Sequence, residues 1–150
     1  MPKSREPSNR IGVYKSLDDV PSRYRLESYA GTYAGRDTWA EYFEAELSEA
    51  AETVQYESEL AETSWKNHMD ERGRHHALAT PADVDRWAVE LLDRMQVSRA
   101  YNPYWVRLEK FYSYLLWHTD HPHVYHPPRI AAARGGAAAD IWKAKIETGP

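Results

Sequence analysis

The spacing of apolar residues in the middle of the chain is the feature that most constrains the fold. In one segment they occur at positions i, i+3, i+4, i+7, i+8 and i+11, which places them on one face of a helix. These residues are Val84, Trp87, Ala88, Leu91, Leu92 and Met95. The preceding Thr80-Pro81-Ala82-Asp83 has a capping threonine, a proline at the first helical position and an acid at the third. We therefore predict an amphipathic helix that begins at Pro81.

Two helices are predicted before this one. The first begins near Thr38, is capped by Asp37 or by Thr38 itself, and has an acidic face opposite its apolar residues. The second extends over residues 52–72, with Gly73 as its C-terminal stop. The expected core residues are Trp39, Phe43 and Leu47 in the first helix and Tyr56, Leu60, Trp65 and Met69 in the second.

Two more helices are predicted in the second half of the chain. One extends from a capping Ser98 to about His118 and is kinked at Asn102-Pro103. Its inward-facing residues are Trp105, Leu108, Phe111, Tyr112, Leu115 and Leu116. Prolines exclude a regular helix over 120–128, and a fifth helix over 131–145 is interrupted at two glycines. Because no hairpin pattern or internal repeat is present, we predict an all-α fold, a compact bundle of four to five helices.

Composition suggests that the chain has three parts. Residues 1–36 are rich in Ser, Pro, Gly and Arg, which predicts a flexible or irregular N-terminal arm. Four apolar or aromatic residues could tether this arm to the core: Tyr24, Leu26, Tyr29 and Tyr33. Residues 37–128 form the helical domain, and residues 129–150 form a C-terminal tail with a short helix.

Charge and cysteine content exclude several classes of protein. The chain has no Cys, so disulfides, thiolate nucleophiles and Cys-based zinc sites are absent. Its 19 Lys and Arg against 23 Asp and Glu give a net charge of -4, which argues against nonspecific coating of nucleic acid. No apolar run reaches the roughly 18 residues of a membrane span, and the N-terminus has no secretory pattern. We expect a cytoplasmic protein without membrane contact.

Four histidines lie close together in the proline-rich segment and suggest a metal site: His118, His121, His123 and His126. The prolines favour an extended path on which alternate side chains point apart, so we prefer a polar connector and expect no metal and no cofactor. His126-Pro127-Pro128-Arg129 also matches the H-x-x-R string of tyrosine recombinases, but no Tyr follows Tyr125 as a nucleophile. We therefore expect no catalytic residue.

The outer stripe of the fourth predicted helix is the main candidate site. Pro103, Arg107, Lys110 and Tyr114 share this stripe, and Arg99, Tyr101 and Asn102 lie at the helix start. Such residues can contact phosphates and read base edges, although an ordinary solvated face would have the same pattern. Lys66, Arg72 and Arg74 would extend the patch if the fold brings the two helix ends together.

Two strings in these helices resemble the N-terminal core-binding, SAM-like domain of tyrosine recombinases and phage integrases. They are Leu108-x-x-Phe111-Tyr112-x-Tyr114-Leu115, preceded by Ser98, and Thr80-x-x-Asp83-Val84-x-x-Trp87-x-x-x-Leu91-Leu92. The segment Tyr101-Asn102-Pro103-Tyr104-Trp105 also resembles the sequences of short integrase-like proteins of haloarchaea. The resemblance covers about residues 38–128.

The resemblance implies an all-α bundle that clamps duplex DNA, so residues 37–128 would be a DNA-binding domain. Its implied contacts are Lys66, Arg72, Arg99, Asn102, Arg107 and Lys110. The recombinase catalytic domain is missing, which implies a stand-alone, non-enzymatic DNA-binding protein that assists or regulates recombination or integration. Its partners would be double-stranded DNA and either a separately encoded recombinase or a second copy of the chain. The alternative hypothesis is a helical protein-protein interaction module without DNA binding.

Overall fold

The computed structural model describes residues 14–148, and side chains up to residue 144, as an all-α bundle. No strand occurs within residues 14–148, which confirms the predicted fold class. Five of the described helices are eight residues or longer, in agreement with a bundle of four to five helices. Within the same residues, no helix is both long and apolar enough to cross a membrane.

The helices follow one another through short connections. Three 3-10 turns come first, at Leu17–Asp19, Ser22–Tyr24 and Leu26–Tyr29. They are followed by α1 (Ala30–Tyr33), α2 (Thr38–Tyr42) with a π turn at Phe43–Leu47, α3 (Glu52–Glu71), α4 (Pro81–Arg94) and α5 (Val97–Arg99). A π segment (Ala100–Trp105) then leads into α6 (Val106–Trp117), α7 (Pro127–Arg134) and α8 (Ala137–Thr148).

Helix α4 begins where its sequence predicts. The Thr80 side chain accepts a hydrogen bond from the Asp83 backbone N–H at 3.2 Å, and the Asp83 carboxylate accepts one from the Thr80 N–H at 2.8 Å. This capping box satisfies two backbone donors that the helix itself leaves unpaired. The predicted apolar face is buried at Val84, Trp87 and Leu91, so both the start and the register of α4 are confirmed.

Helix α3 has nearly the predicted bounds, but its buried face agrees with the prediction only in part. It ends at Glu71, and Gly73 follows with a φ of 71°, a left-handed conformation that glycine adopts without strain. The prediction that Tyr56 is a core residue is wrong, because 60% of its surface is exposed. The buried stripe consists of Ser58, Ala61, Trp65, His68 and Met69. Trp65 and Met69 are buried as predicted, but a serine and a histidine share their stripe, so apolar spacing alone identifies only part of the buried face.

The fourth predicted helix is divided by a break. Gln96, and not Ser98, is the N-cap residue of α5, and Asn102 departs from helical geometry with φ -124° and ψ 114°. The predicted kink at Asn102-Pro103 is therefore present, and it separates α5 from α6. The inward face of α6 is as predicted for Leu108, Phe111, Tyr112 and Leu115, each at most 1% exposed.

The segment before α2 is part of the core from its first turn onwards. Val20, Leu26 and Tyr33 are at most 2% exposed, and the Leu26 backbone N–H donates to the Tyr125 hydroxyl at 2.8 Å. Residues 14–36 are therefore irregular, as predicted, but they are packed in place. The rest of the predicted arm, residues 1–13, lies outside the described residues.

The predicted C-terminal tail is an integral part of the bundle. Helix α7 begins at Pro127, so the predicted boundary between residues 128 and 129 falls inside a helix. α4, α7 and α8 pack against one another, and Ile130 on α7 and Ile141 and Trp142 on α8 are buried. The predicted interruption at two glycines is present, and the Asp85 carboxylate accepts a hydrogen bond from the first turn of α8, at the Ala138 N–H.

Candidate nucleic-acid interface

An open groove of about 760 Å³ extends along α6. α2 and its π turn supply one wall, the π segment supplies another, and α7 contributes Arg129. The aromatic lining consists of Tyr42, Tyr101, Tyr114 and Trp117, and the charged lining of Glu46, Arg107, Glu109, Lys110 and Arg129. The groove therefore combines several aromatic rings with more cationic than anionic side chains.

The groove gathers most of the stripe predicted on the fourth helix. Arg107, Lys110 and Tyr114 all line it, whereas Pro103 is buried beneath the surface. The predicted interface omits Trp117, although this residue continues the same stripe one turn beyond Tyr114. Extending the stripe to the end of α6 would have been the signal for including Trp117.

The two cations of the stripe have no acidic partner among the described residues. No described carboxylate lies within 4.0 Å of Arg107 or Lys110. Burial raises the pKa of the Tyr42 hydroxyl, and the adjacent Arg107 guanidinium opposes that rise. The acid in the same groove, Glu109, is already paired, since its carboxylate lies 3.0 Å from Arg129 Nε. Arg107 and Lys110 are thus available to an external anion.

The predicted helix start is a short helix of three residues, α5, that is separated from α6 by a break. Arg99 ends α5 and is exposed, with its guanidinium carbon 5.8 Å from the centre of the Tyr104 ring. Tyr101 lines the groove, and Asn102 is exposed at the break between α5 and α6. The structure places Tyr101 in the candidate interface, while Arg99 and Asn102 lie outside the groove lining.

Lys66 also lies outside the groove lining, and its ammonium group is engaged by acids. Its Nζ atom lies 2.8 Å from Asp37 Oδ1 and 2.5 Å from Glu62 Oε2. Burial alone would lower the pKa of Lys66, but these two carboxylates outweigh it and raise the pKa. An incoming phosphate would have to compete with both acids for this ammonium group.

Arg72 and Arg74 are engaged in the same way by one buried acid. The Arg72 guanidinium forms an ion pair with Asp83, and Arg74 Nε lies 2.9 Å from the other carboxylate oxygen. Burial alone would raise the pKa of Asp83, but the Thr80 backbone N–H and the two guanidinium groups lower it below the usual value. Because the Asp83 side chain is fully buried, these arginines neutralise a charge inside the fold.

The double variant Arg72→Gln with Arg74→Gln is therefore expected to lower stability. Asp83 would keep its capping contacts but lose both cationic partners, at a cost of about 1–3 kcal/mol. Urea denaturation of the variant and the wild type measures this difference. If these residues contacted DNA, the folded variant would instead lose DNA affinity at unchanged stability.

The H-x-x-R string has a structural role in this fold. His126 is the N-cap of α7, and its Nδ1 atom accepts a hydrogen bond from the Arg129 backbone N–H at 3.3 Å. The neutral ring therefore carries its proton on Nε2, which lies 3.1 Å from the Glu109 carbonyl and 3.2 Å from Ser113 Oγ. In this tautomer His126 donates towards Ser113 and does not act as a base for its hydroxyl.

Three of the four clustered histidines are buried and do not form a polar connector. His121, His123 and His126 are at most 8% exposed, because the proline-rich segment crosses the core. The Tyr33 hydroxyl lies 2.5 Å from His121 Nδ1, and His123 Nε2 donates to the Ala77 carbonyl at 2.7 Å. The described residues contain no group of three or more His, Asp or Glu side chains arranged to hold a metal ion.

Comparison with known proteins adds no further constraint on the site. No family model matches the chain, and neither the curated proteins nor the solved structures include a significant match to it.

Proposed function

We propose that the protein binds DNA through the groove of α6, as an integrase-like accessory or regulatory protein of DNA recombination or integration without a catalytic step of its own. The observation that supports this most is the pair Arg107 and Lys110, which share a groove and have no described acidic partner. Cations that no described acid neutralises can bind phosphate without first breaking an ion pair with one of these acids.

The paired cations elsewhere in the chain strengthen this choice of surface. Lys66 is held by Asp37 and Glu62, and Arg72 and Arg74 are held by Asp83. We therefore restrict the proposed contact surface to the α6 side and define it by Tyr101, Arg107, Lys110 and Trp117, with Arg99 and Asn102 beside it. The resemblance to the recombinase core-binding domain, whose fourth-helix string lies on α6, supports the same side.

Charge reversal on this surface tests the proposal. For the double variant Arg107→Glu with Lys110→Glu, we expect affinity for a fluorescently labelled duplex to fall about tenfold or more. We also expect the slope of log affinity against log salt to become about two units shallower, because two phosphate contacts are lost. Anisotropy titrations at about 50 mM and about 200 mM salt measure both effects.

A matched control uses two exposed arginines of α4. Arg86→Glu with Arg94→Glu changes the net charge by the same amount on a different part of the surface. DNA affinity that falls equally in both variants would mean that total charge, and not the α6 groove, controls binding. Unchanged affinity in the folded Arg107/Lys110 variant would contradict the proposed surface directly.

The second candidate function is a helical protein-protein interaction module. Trp117 is 85% exposed, and exposed tryptophan is enriched among the residues that contribute most to protein interfaces. The exposed acids Glu44, Glu46 and Glu49 would add a surface for a basic partner. This hypothesis predicts weak DNA binding with a shallow salt dependence, which the same titrations would detect.

A further inference from the structure

Trp117 differs from every other tryptophan of the chain. The other five are at most 3% exposed, whereas Trp117 leaves 85% of its surface in solvent at the end of α6. An exposed indole offers a large, flat aromatic surface on which a ligand can pack. The position is also specific, because Trp117 lines the groove that contains Arg107 and Lys110.

A DNA duplex does not offer a surface that fits an exposed indole ring. Its bases are stacked on one another, and proteins contact it through phosphates and through base edges in the grooves. Unpaired bases expose their flat faces, and aromatic side chains bind those faces by stacking with little dependence on sequence. Trp117 and Tyr114 therefore match an unpaired strand better than a closed duplex.

The charges of the groove fit the same ligand. Arg107, Lys110, Tyr114 and Trp117 lie along one stripe of α6, so cations and rings follow each other along the helix axis. A single strand offers phosphates to the two cations and unstacked bases to the two rings that follow them.

We infer that the α6 groove binds unpaired, single-stranded DNA, with phosphates on Arg107 and Lys110 and a base stacked on Trp117. This inference rests on the proposed DNA binding. It adds that the groove selects single-stranded DNA over a closed duplex. In a recombination event such strands arise wherever a duplex is opened. The protein would then hold an opened strand and not read a closed site.

Three DNA probes separate stacking from simple charge attraction. They are an oligothymidylate of about 12 nucleotides, a strand of equal length made of abasic sites, and a duplex. Trp117→Ala is expected to weaken oligothymidylate binding about 5- to 150-fold, while binding of the abasic strand and the duplex changes less than about twofold. Trp117→Phe retains a ring and should restore most of the affinity.

The control variant is Tyr56→Ala, which removes a 60% exposed ring of α3 outside the groove lining. It is expected to leave binding of all three probes unchanged. Tryptophan fluorescence gives a second measurement, since Trp117 is the exposed indole. Oligothymidylate should quench this fluorescence in the wild type and in Tyr56→Ala, but not in Trp117→Phe.

The outcomes distinguish this inference from the proposed function. If the duplex binds through Arg107 and Lys110 but Trp117→Ala leaves oligothymidylate affinity unchanged, the inference is wrong and the proposed function stands. An equal loss on all three probes would also overturn it, because Trp117 would then contact something other than an unpaired base. If the wild type binds none of the probes, both proposals fail and protein docking becomes the better explanation of the groove.

Discussion

Replacing Trp87 by alanine is expected to lower the free energy of unfolding by about 3–5 kcal/mol. Trp87 is fully buried on α4, and its ring centre lies 5.1 Å from that of Trp65 on α3 in an edge-to-face arrangement. Its indole N–H also donates to Ser64 Oγ at 3.0 Å. The substitution therefore removes an aromatic pair and a hydrogen bond and leaves a cavity between two helices.

Urea denaturation followed by circular dichroism measures this loss. A domain of this size has a stability of about 5–15 kcal/mol, so the variant should show a markedly lower midpoint or be partly unfolded. Trp87→Phe keeps part of the ring volume, so its free energy of unfolding should lie between those of the wild type and Trp87→Ala. Tyr56→Ala, on the exposed face of α3, should change stability by less than about 0.5 kcal/mol. A cost below about 1 kcal/mol for Trp87→Ala would contradict the packing described here.

The parts of the fold that were predicted correctly depend on local interactions. The start of α4 follows from a threonine and an acid three positions later, and its face follows from apolar spacing. Where the buried face includes polar residues, as in α3, the spacing of apolar residues identifies only part of that face. Ser58 accepts the indole N–H of Trp39, and His68 lies 2.8 Å from the Asp83 carbonyl. Both partners belong to other elements, so these contacts are not visible in the local sequence.

The packing of the two ends of the chain could be predicted only in part, for a similar reason. Leu26 and Tyr125 are hydrogen-bonded across 99 positions of sequence, and neither lies in a periodic apolar pattern. Helix α7 is rich in alanine, and its burial at Ala131 and Ala132 results from close approach to α4 and α8. Small residues give little amphipathic contrast, so the sequence predicts the helix interrupted at the two glycines but not its packing against α4.

The candidate site was only partly predictable from the sequence. A helical projection is sufficient to place Arg107 and Lys110 on one outer stripe, and both line the groove. The same projection treats Lys66, Arg72 and Arg74 as equally available. Their acidic partners, chiefly Asp37 and Asp83, lie on other elements, and only the fold brings these charges together.

Mild acid is expected to destabilise the protein through its buried histidines. Burial lowers the pKa of His123 to about 4 and that of His76 to about 3, against an ordinary value of 6.5. Neighbouring positive charge adds to this effect, from Lys66 near His76 and from Arg36 near His123. Both rings are therefore neutral in the folded state at a pH where the unfolded chain binds protons.

The direction of this change in stability with pH follows from proton linkage. Because the folded pKa is below the unfolded pKa, the stabilisation is complete above about pH 6.5 and is lost as the pH falls towards the folded pKa. When the pH falls from 7 to 5, each histidine is expected to lower the free energy of unfolding by about 2 kcal/mol, and the two together by about 4 kcal/mol. This interval lies above the titration of ordinary carboxylates, so the loss is assigned to histidine and not to acids such as Asp83.

The free energy of unfolding at pH 7 and at pH 5, from urea titrations, measures the loss. His123→Gln keeps an amide donor for the Ala77 carbonyl but does not titrate, so it isolates the contribution of His123. This variant should be less stable than the wild type at pH 7, yet lose about 2 kcal/mol less on going to pH 5. Equal stability of the wild type at the two pH values would mean that neither histidine is held neutral. The proline-rich segment would then have to be more open to water than its contacts with Tyr33 and Ala77 indicate.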